Sequence, residues 1–165
     1  MTADEKKGVV LIAVYGLLVF YNQRSRRFWD VRAAAYHIAK DFFSRNELPP
    51  LWVREILVME KCPRNLGRDM AIVLTVAYVR YFCEVCYFYE LPPTRTRFAR
   101  GDQESGCSIV AKAMDLLKIA NISESALNKI YEQQNRLATR PVIESFTRSY
   151  VMRLNAIFEE IRLSE

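Results

Sequence analysis

Residues 68–90 read RDMAIVLTVAYVRYFCEVCYFYE, and no charge interrupts the run from Met70 to Val79. A stretch this long exceeds a strand and fits a helix that is apolar around most of its circumference. Such a helix is covered by neighbours on several sides. It is the expected centre of the fold, with Pro92 and Pro93 as its stop. Arg80 and Glu84 break the apolar surface, which favours a buried helix of a soluble domain over a membrane span.

Working outward, Gly8–Tyr21 (GVVLIAVYGLLVFY) is a second apolar run, shorter than the roughly 20 residues a bilayer requires. It follows Lys6 and Lys7 but leads into NQRSRRFW, not a small-residue cleavage site, so it reads as a helix over 8–23 inside a bundle and not as a signal peptide. Residues 26–44 carry Phe28, Val31, Ala35, Ile38 and Phe42 at steps of three and four, an amphipathic helix. Pro49-Pro50 starts a short helix over 51–60. CPRNLG is a break with Asn65 as its cap. Beyond the central helix, the spacing predicts helices over 105–120 and, capped by Ser123, to about 138. Thr139 caps a last one, with Pro141 in its first turn. There Ile143, Phe146, Tyr150, Leu154, Ile157 and Ile161 form one stripe. The expectation is one all-α domain over 1–165, a bundle of seven to eight helices. Its sub-lobes, about 1–90 and 105–165, are joined by the basic loop 91–104. The core is drawn from 8–21, 68–90 and the last stripe.

Composition limits function more than it defines it. The 165 residues suit one domain that buries a core without disulfides. Cys62, Cys83, Cys86 and Cys107 make no secreted framework. Cys83 and Cys86 of CEVC share a helix face and read as core packing, since zinc needs four ligands and His37 is the only histidine. His37 lies off its helix's apolar stripe and reads as a surface residue, with pH sensing as the functional alternative. No phosphate-binding glycine loop, nucleophile elbow or triad is present, so no catalytic residue, cofactor or metal is assigned.

The arginines carry the functional signal. Net charge is +5, and 17 of the 24 basic residues are arginine, whose planar fork suits phosphate and carboxylate. Arg24, Arg26 and Arg27 flank a helix junction. Arg95, Arg97 and Arg100 occupy the loop LPPTRTRFARGDQ (91–103), stiffened at its entry by two prolines. Arg140 and Arg148 lie near the carboxyl end. Phe98, between the loop arginines, suits insertion into lipid or stacking on a base. Three clustered arginines at an anionic membrane contribute roughly 3 kcal/mol, at about 1 kcal/mol each, which becomes substantial in a multivalent array.

The element order supplies a resemblance. An apolar helix (LGRDMAIVLTVAYVR, 66–80), an arginine segment ending in RF (TRTRF, 94–98), a Gly-Asp turn and a helix with AKAMDLLK (111–118) follow one another. This order resembles the helical amino-terminal domain of orthomyxovirus matrix proteins of thogotovirus type. The resemblance implies a non-enzymatic protein of the virion's inner layer beneath the envelope, seen also in host cytoplasm, at the inner membrane face and in the nucleus. It implies binding to anionic lipid and to viral RNA or ribonucleoprotein, and self-association into a homo-oligomer. Arg95 and Arg97 match part of that family's basic segment. The family's dense basic stretch after the Gly-Asp turn is represented here only by Lys112 and Lys118, with Arg24–Arg27 as the substitute. LWVREILVMEK (51–61), AIVLTVAYVRYF (71–82) and GCSIVAKAMD (106–115) also look like a cyclin box in helix order. That alternative implies a protein-interaction module, with Lys112 and Glu124 facing a kinase.

Overall fold

Capping chemistry decides where each helix begins. The computed structural model describes residues 1–21, 24–95 and 103–135. Over them it holds six α-helices: α1 Ala3–Phe20, α2 Arg24–Ser44, α3 Leu51–Leu57, α4 Arg64–Tyr87, α5 Gly106–Leu117 and α6 Glu124–Gln134. There is no strand among the described residues. The all-α class stands; the helix expected from Thr139 and its 143–161 stripe lie outside these residues, and six of the expected seven to eight helices fall within them. Thr2 and Glu5 form a capping box on α1. Ser105 and Ser108 form one on α5, and the Ser123 hydroxyl accepts from the Ala126 amide on α6. These contacts satisfy amide donors that have no partner inside the first turn.

Several expected boundaries move: α1 runs over Ala3–Phe20 and not 8–23, α3 stops at Leu57 and not at 60, and α4 differs at both ends. Asn65 is not the cap of α4: the helix begins at Arg64, and the Pro63 carbonyl accepts the Gly67 amide. Nor do Pro92 and Pro93 end α4. Phe88 turns left-handed (φ 51°), and the Phe88 and Tyr89 amides both donate to the Cys83 carbonyl. The prolines serve the next helix. The Gly106 amide donates to the Pro92 carbonyl (2.8 Å) and the Cys107 amide to that of Pro93 (2.9 Å), so the loop's two feet are held together.

Residues Met70–Val79 of α4 are buried without exception. Ile72, Val73, Val76, Val79 and Cys83 pack with Val9, Ala13 and Leu17 of α1, with Cys107, Val110 and Met114 of α5, and with Leu127 and Tyr131 of α6. Met70, Ala71, Leu74, Ala77 and Tyr78 pack with Phe28, Val31, Ala35 and Ala39 of α2 and Val53 and Ile56 of α3. Each fully buried Val, Leu or Ile contributes roughly 1.5–3 kcal/mol. By length and composition α4 could cross a membrane, yet 61% of its most apolar window is buried in the fold, as befits a core helix. α1 departs from expectation. It is not covered all round, for Leu11 is 66% and Leu18 45% exposed.

Close approach fixes how the helices pair. α1 runs antiparallel to α4, with Gly8 beside the Tyr87 hydroxyl and Gly16 beside Thr75. Gly106 lets α5 enter against α4, where an added Cβ would lie 2.9 Å from Val76 Cγ1 and 3.3 Å from Arg80 Cγ. Arg80 locks this junction: Nε donates to the Leu91 carbonyl (2.9 Å) and a terminal nitrogen to the Tyr131 hydroxyl (3.1 Å). Gly106→Val should therefore cost roughly 1–3 kcal/mol by overpacking, measured as a lower urea midpoint at an unchanged slope.

Candidate functional site

The packing of α1 on α5 leaves a cleft between them. Its walls are Val10 and Leu11 of α1 and Ile109 and Leu116 of α5, and Lys6, Lys7, Lys112 and Glu104 rim it, enclosing about 550 Å³. Leu11 and Leu116 are two-thirds exposed. Apolar side chains set out in solvent and ringed by long cationic ones are suited to an interface with an apolar interior and an anionic surface.

The carboxylate that lines this rim, Glu104, is already committed. It accepts from Lys112 Nζ (2.5 Å) and from the Ser108 hydroxyl (3.0 Å). Burial alone pushes its carboxyl up, but the bonds from Lys112 and Ser108, with the charges of Lys112 and Arg95, outweigh burial and hold it below the ordinary value. Lys7 pairs with Asp4 at 3.8 Å, a long and exposed contact.

The predicted arginines fall in two places. Arg95 Nε lies 3.0 Å from Glu124 Oε1, which ties the loop's entry to the first turn of α6. Since Arg95 also acts on Glu104, the loop leaves and re-enters beside the lysine rim. Arg97 and Arg100, on that loop, and Arg140 and Arg148 lie outside the described residues. Arg24 begins α2, with its guanidinium 5.5 Å from the Tyr21 ring centroid and its backbone carbonyl against Gly67. Arg26 and Arg27 follow on the same turn. Gly67 and Tyr87 are 20 positions apart on α4, about 30 Å at 1.5 Å per residue. The Arg24–Arg27 turn and the lysine rim therefore sit at opposite ends of the bundle. Lys112 and Glu124, the pair facing outward in the cyclin-like reading, are bonded to Glu104 and Arg95 respectively.

Lys6, Lys7, Leu11 and Leu116 were not singled out as site residues by sequence reasoning. The signal was the excess of leucine and valine on α1, more than one buried face can use. The CEVC pair is also divided. Cys83 is fully buried and Cys86 exposed, because α4 is nearing its end and only one side still has a neighbour. Burial, with Cys86 nearby, pushes the Cys83 thiol up to about 11; burial, with Glu124 and Glu132 adding, pushes Cys107 up to about 12. No group of three or more His, Cys, Asp or Glu that could hold a metal ion occurs among the described residues. His37 is exposed and edge-on to Tyr36 at 6.0 Å.

Two measurements check this geometry. Thiolate is the reactive form, so a thiol reagent at neutral pH should label Cys86 first and reach Cys83 and Cys107 only on unfolding, as mapped by peptide mass. Glu104→Gln should lower stability at neutral pH. A depressed carboxyl contributes its stability above the ordinary value of 4.5 and loses it as pH falls through the folded value. The difference between wild type and variant should shrink in acid denaturant titrations.

Comparison with protein-family models, with curated proteins and with solved structures finds no match for this chain.

Proposed function

We propose that this protein is a non-enzymatic, matrix-like structural scaffold that docks on an acidic membrane surface and assembles with copies of itself. The observation that carries the reading is the α1–α5 cleft. Exposed Leu11 and Leu116 are ringed by Lys6, Lys7 and Lys112, and the loop bearing Arg97 and Arg100 springs from the same end of the bundle. The leucines enter the boundary between headgroups and acyl chains, while the lysine stems lie along it and their ammonium groups meet lipid phosphates and carboxylates. Lys112 is held by Glu104, so Lys6 and Lys7 supply roughly 2 kcal/mol at about 1 kcal/mol each, and the loop arginines add to this by the same rule. Single copies bind weakly by this arithmetic; an array binds well.

The test is co-sedimentation with phosphatidylserine-containing and with neutral vesicles, at low and at high salt. Lys6→Glu and Lys7→Glu alter exposed positions near the start of α1, outside the core, so the fold is retained. Combined with Leu116→Ser, they should reduce binding to acidic vesicles about 30-fold or more, from about 1 kcal/mol for each lost lysine, with the added acids and the lost leucine weakening it further. Arg97→Glu with Arg100→Glu should weaken binding further. Absence of salt-sensitive binding by folded wild type overturns the membrane reading, and binding to RNA instead would transfer the loop arginines to a nucleic-acid role.

A further inference from the structure

α2 has two faces, and only one is used by the core. Phe28, Val31, Ala35 and Ala39 are buried. On the opposite side Trp29, Ala33, Tyr36, Lys40 and Phe43 are all exposed. Their spacing is four, three, four, three, and the aromatics recur every seven residues. Trp29, Tyr36 and Phe43 are 44%, 61% and 57% exposed. A seam of this period fits another helix lying along it, because 3.5 residues per turn is the repeat at which two helices stay in register.

A socket for that helix is already formed. Trp29, Arg32, Ala33 and Tyr36 stand at positions i, i+3, i+4 and i+7, the four corners that receive one side chain from a facing helix. With His37 and Leu57 they line a hollow of about 630 Å³. Its wall is fixed before any partner arrives. Arg32 donates to the Leu57 carbonyl (2.8 Å), and its guanidinium lies 5.5 Å from the Trp29 ring centroid. Ala33, being small, leaves the socket deep, so it takes a large side chain.

From this geometry we infer that the occupant is a second copy of the chain, paired antiparallel through α2. The helix dipoles select the direction, and self-complementary side chains along the seam select the partner. The first turn of α2 carries Arg24, Arg26 and Arg27 and no acid, the unfavourable sign at the positive end of a helix dipole. A parallel mate would add three more arginines there. An antiparallel mate brings the negative end of its own dipole instead, where Lys40 and Arg45 are balanced by Asp41 and Glu47. One antiparallel register also matches size and chemistry along the seam. It sets Tyr36 over the second copy's Ala33 and Trp29 against its Lys40, and it lays Phe43 along the first turn of the facing α2. Tyr36 then meets a small residue and Trp29 a cation. By the two-fold axis each layer occurs twice. The inference deepens the scaffold reading, on which it rests for the need to self-associate, and it concerns a face separate from the lysine cleft.

Sedimentation velocity of the full chain without lipid tests it, so that loss of this pairing and loss of membrane binding are read separately. Wild type should dimerise reversibly. Tyr36→Lys and Ala33→Glu each alter an exposed position and should keep the melting temperature, while each raises the dissociation constant at least about tenfold. Mixing the two variants should restore a dimer, because the register pairs the introduced lysine of one chain with the introduced glutamate of the other in one layer and leaves the second layer wild type. A monomeric wild type, or a dimer indifferent to Tyr36→Lys, overturns the interface. Failure of the mixture to restore pairing overturns the antiparallel register.

Discussion

The run Met70–Val79 is buried residue after residue, so α4 requires a neighbour on every side. That requirement organises the other helices around it. α1, α5 and α6 cover one half of its circumference, and α2 and α3 cover the other. Within the buried run the Thr75 hydroxyl donates to the Ala71 carbonyl at 2.8 Å, so its burial leaves no unpaired donor to oppose the packing. Just beyond the run Arg80 converts its end into a junction. The guanidinium joins α4 to the segment at Leu91 and to Tyr131 of α6, where an aliphatic side chain could fill the space but has no donor for either partner.

Much of this fold was legible from local chemistry. Period and caps placed α2, α5 and α6 within a few residues, with Ser123 acting as expected, because amphipathic spacing and side-chain caps act over one or two turns. What escaped was set by distance in space. Pro92 and Pro93 look like a helix stop by local rule, yet their carbonyls are acceptors for amides of α5. α1 is apolar on every side, but which of its sides is covered depends on how many helices reach it. Lys6, Lys7 and Lys112 form one rim only because α5 returns to α1, and no local pattern joins residues so far apart. The exposed seam of α2 was present in the spacing, hidden beside the equally regular buried stripe of Phe28, Val31 and Ala35.

The two outer surfaces differ in kind. The α1–α5 cleft joins aliphatic walls to flexible lysines and asks little of a partner's shape. The α2 seam is aromatic, periodic and braced by Arg32, and it asks for a helix in a definite register. Surfaces so different can serve two partners at once, since α1 and α5 pack in one core cluster around α4 and α2 packs in the other.

The pairing of α1 with α5 also bears on how the chain is made. Val9, Ala13 and Leu17 find part of their cover on residues 107–114, so during synthesis the first helix emerges long before its last neighbour exists. Contacts of such sequence separation form late and slow the search for the native state. Until Gly106 has slipped in beside Val76, the apolar surface of α1 is open to other chains and to chaperones. The glycine that permits a tight helix junction thus also marks the moment in translation at which the nascent chain can close its core.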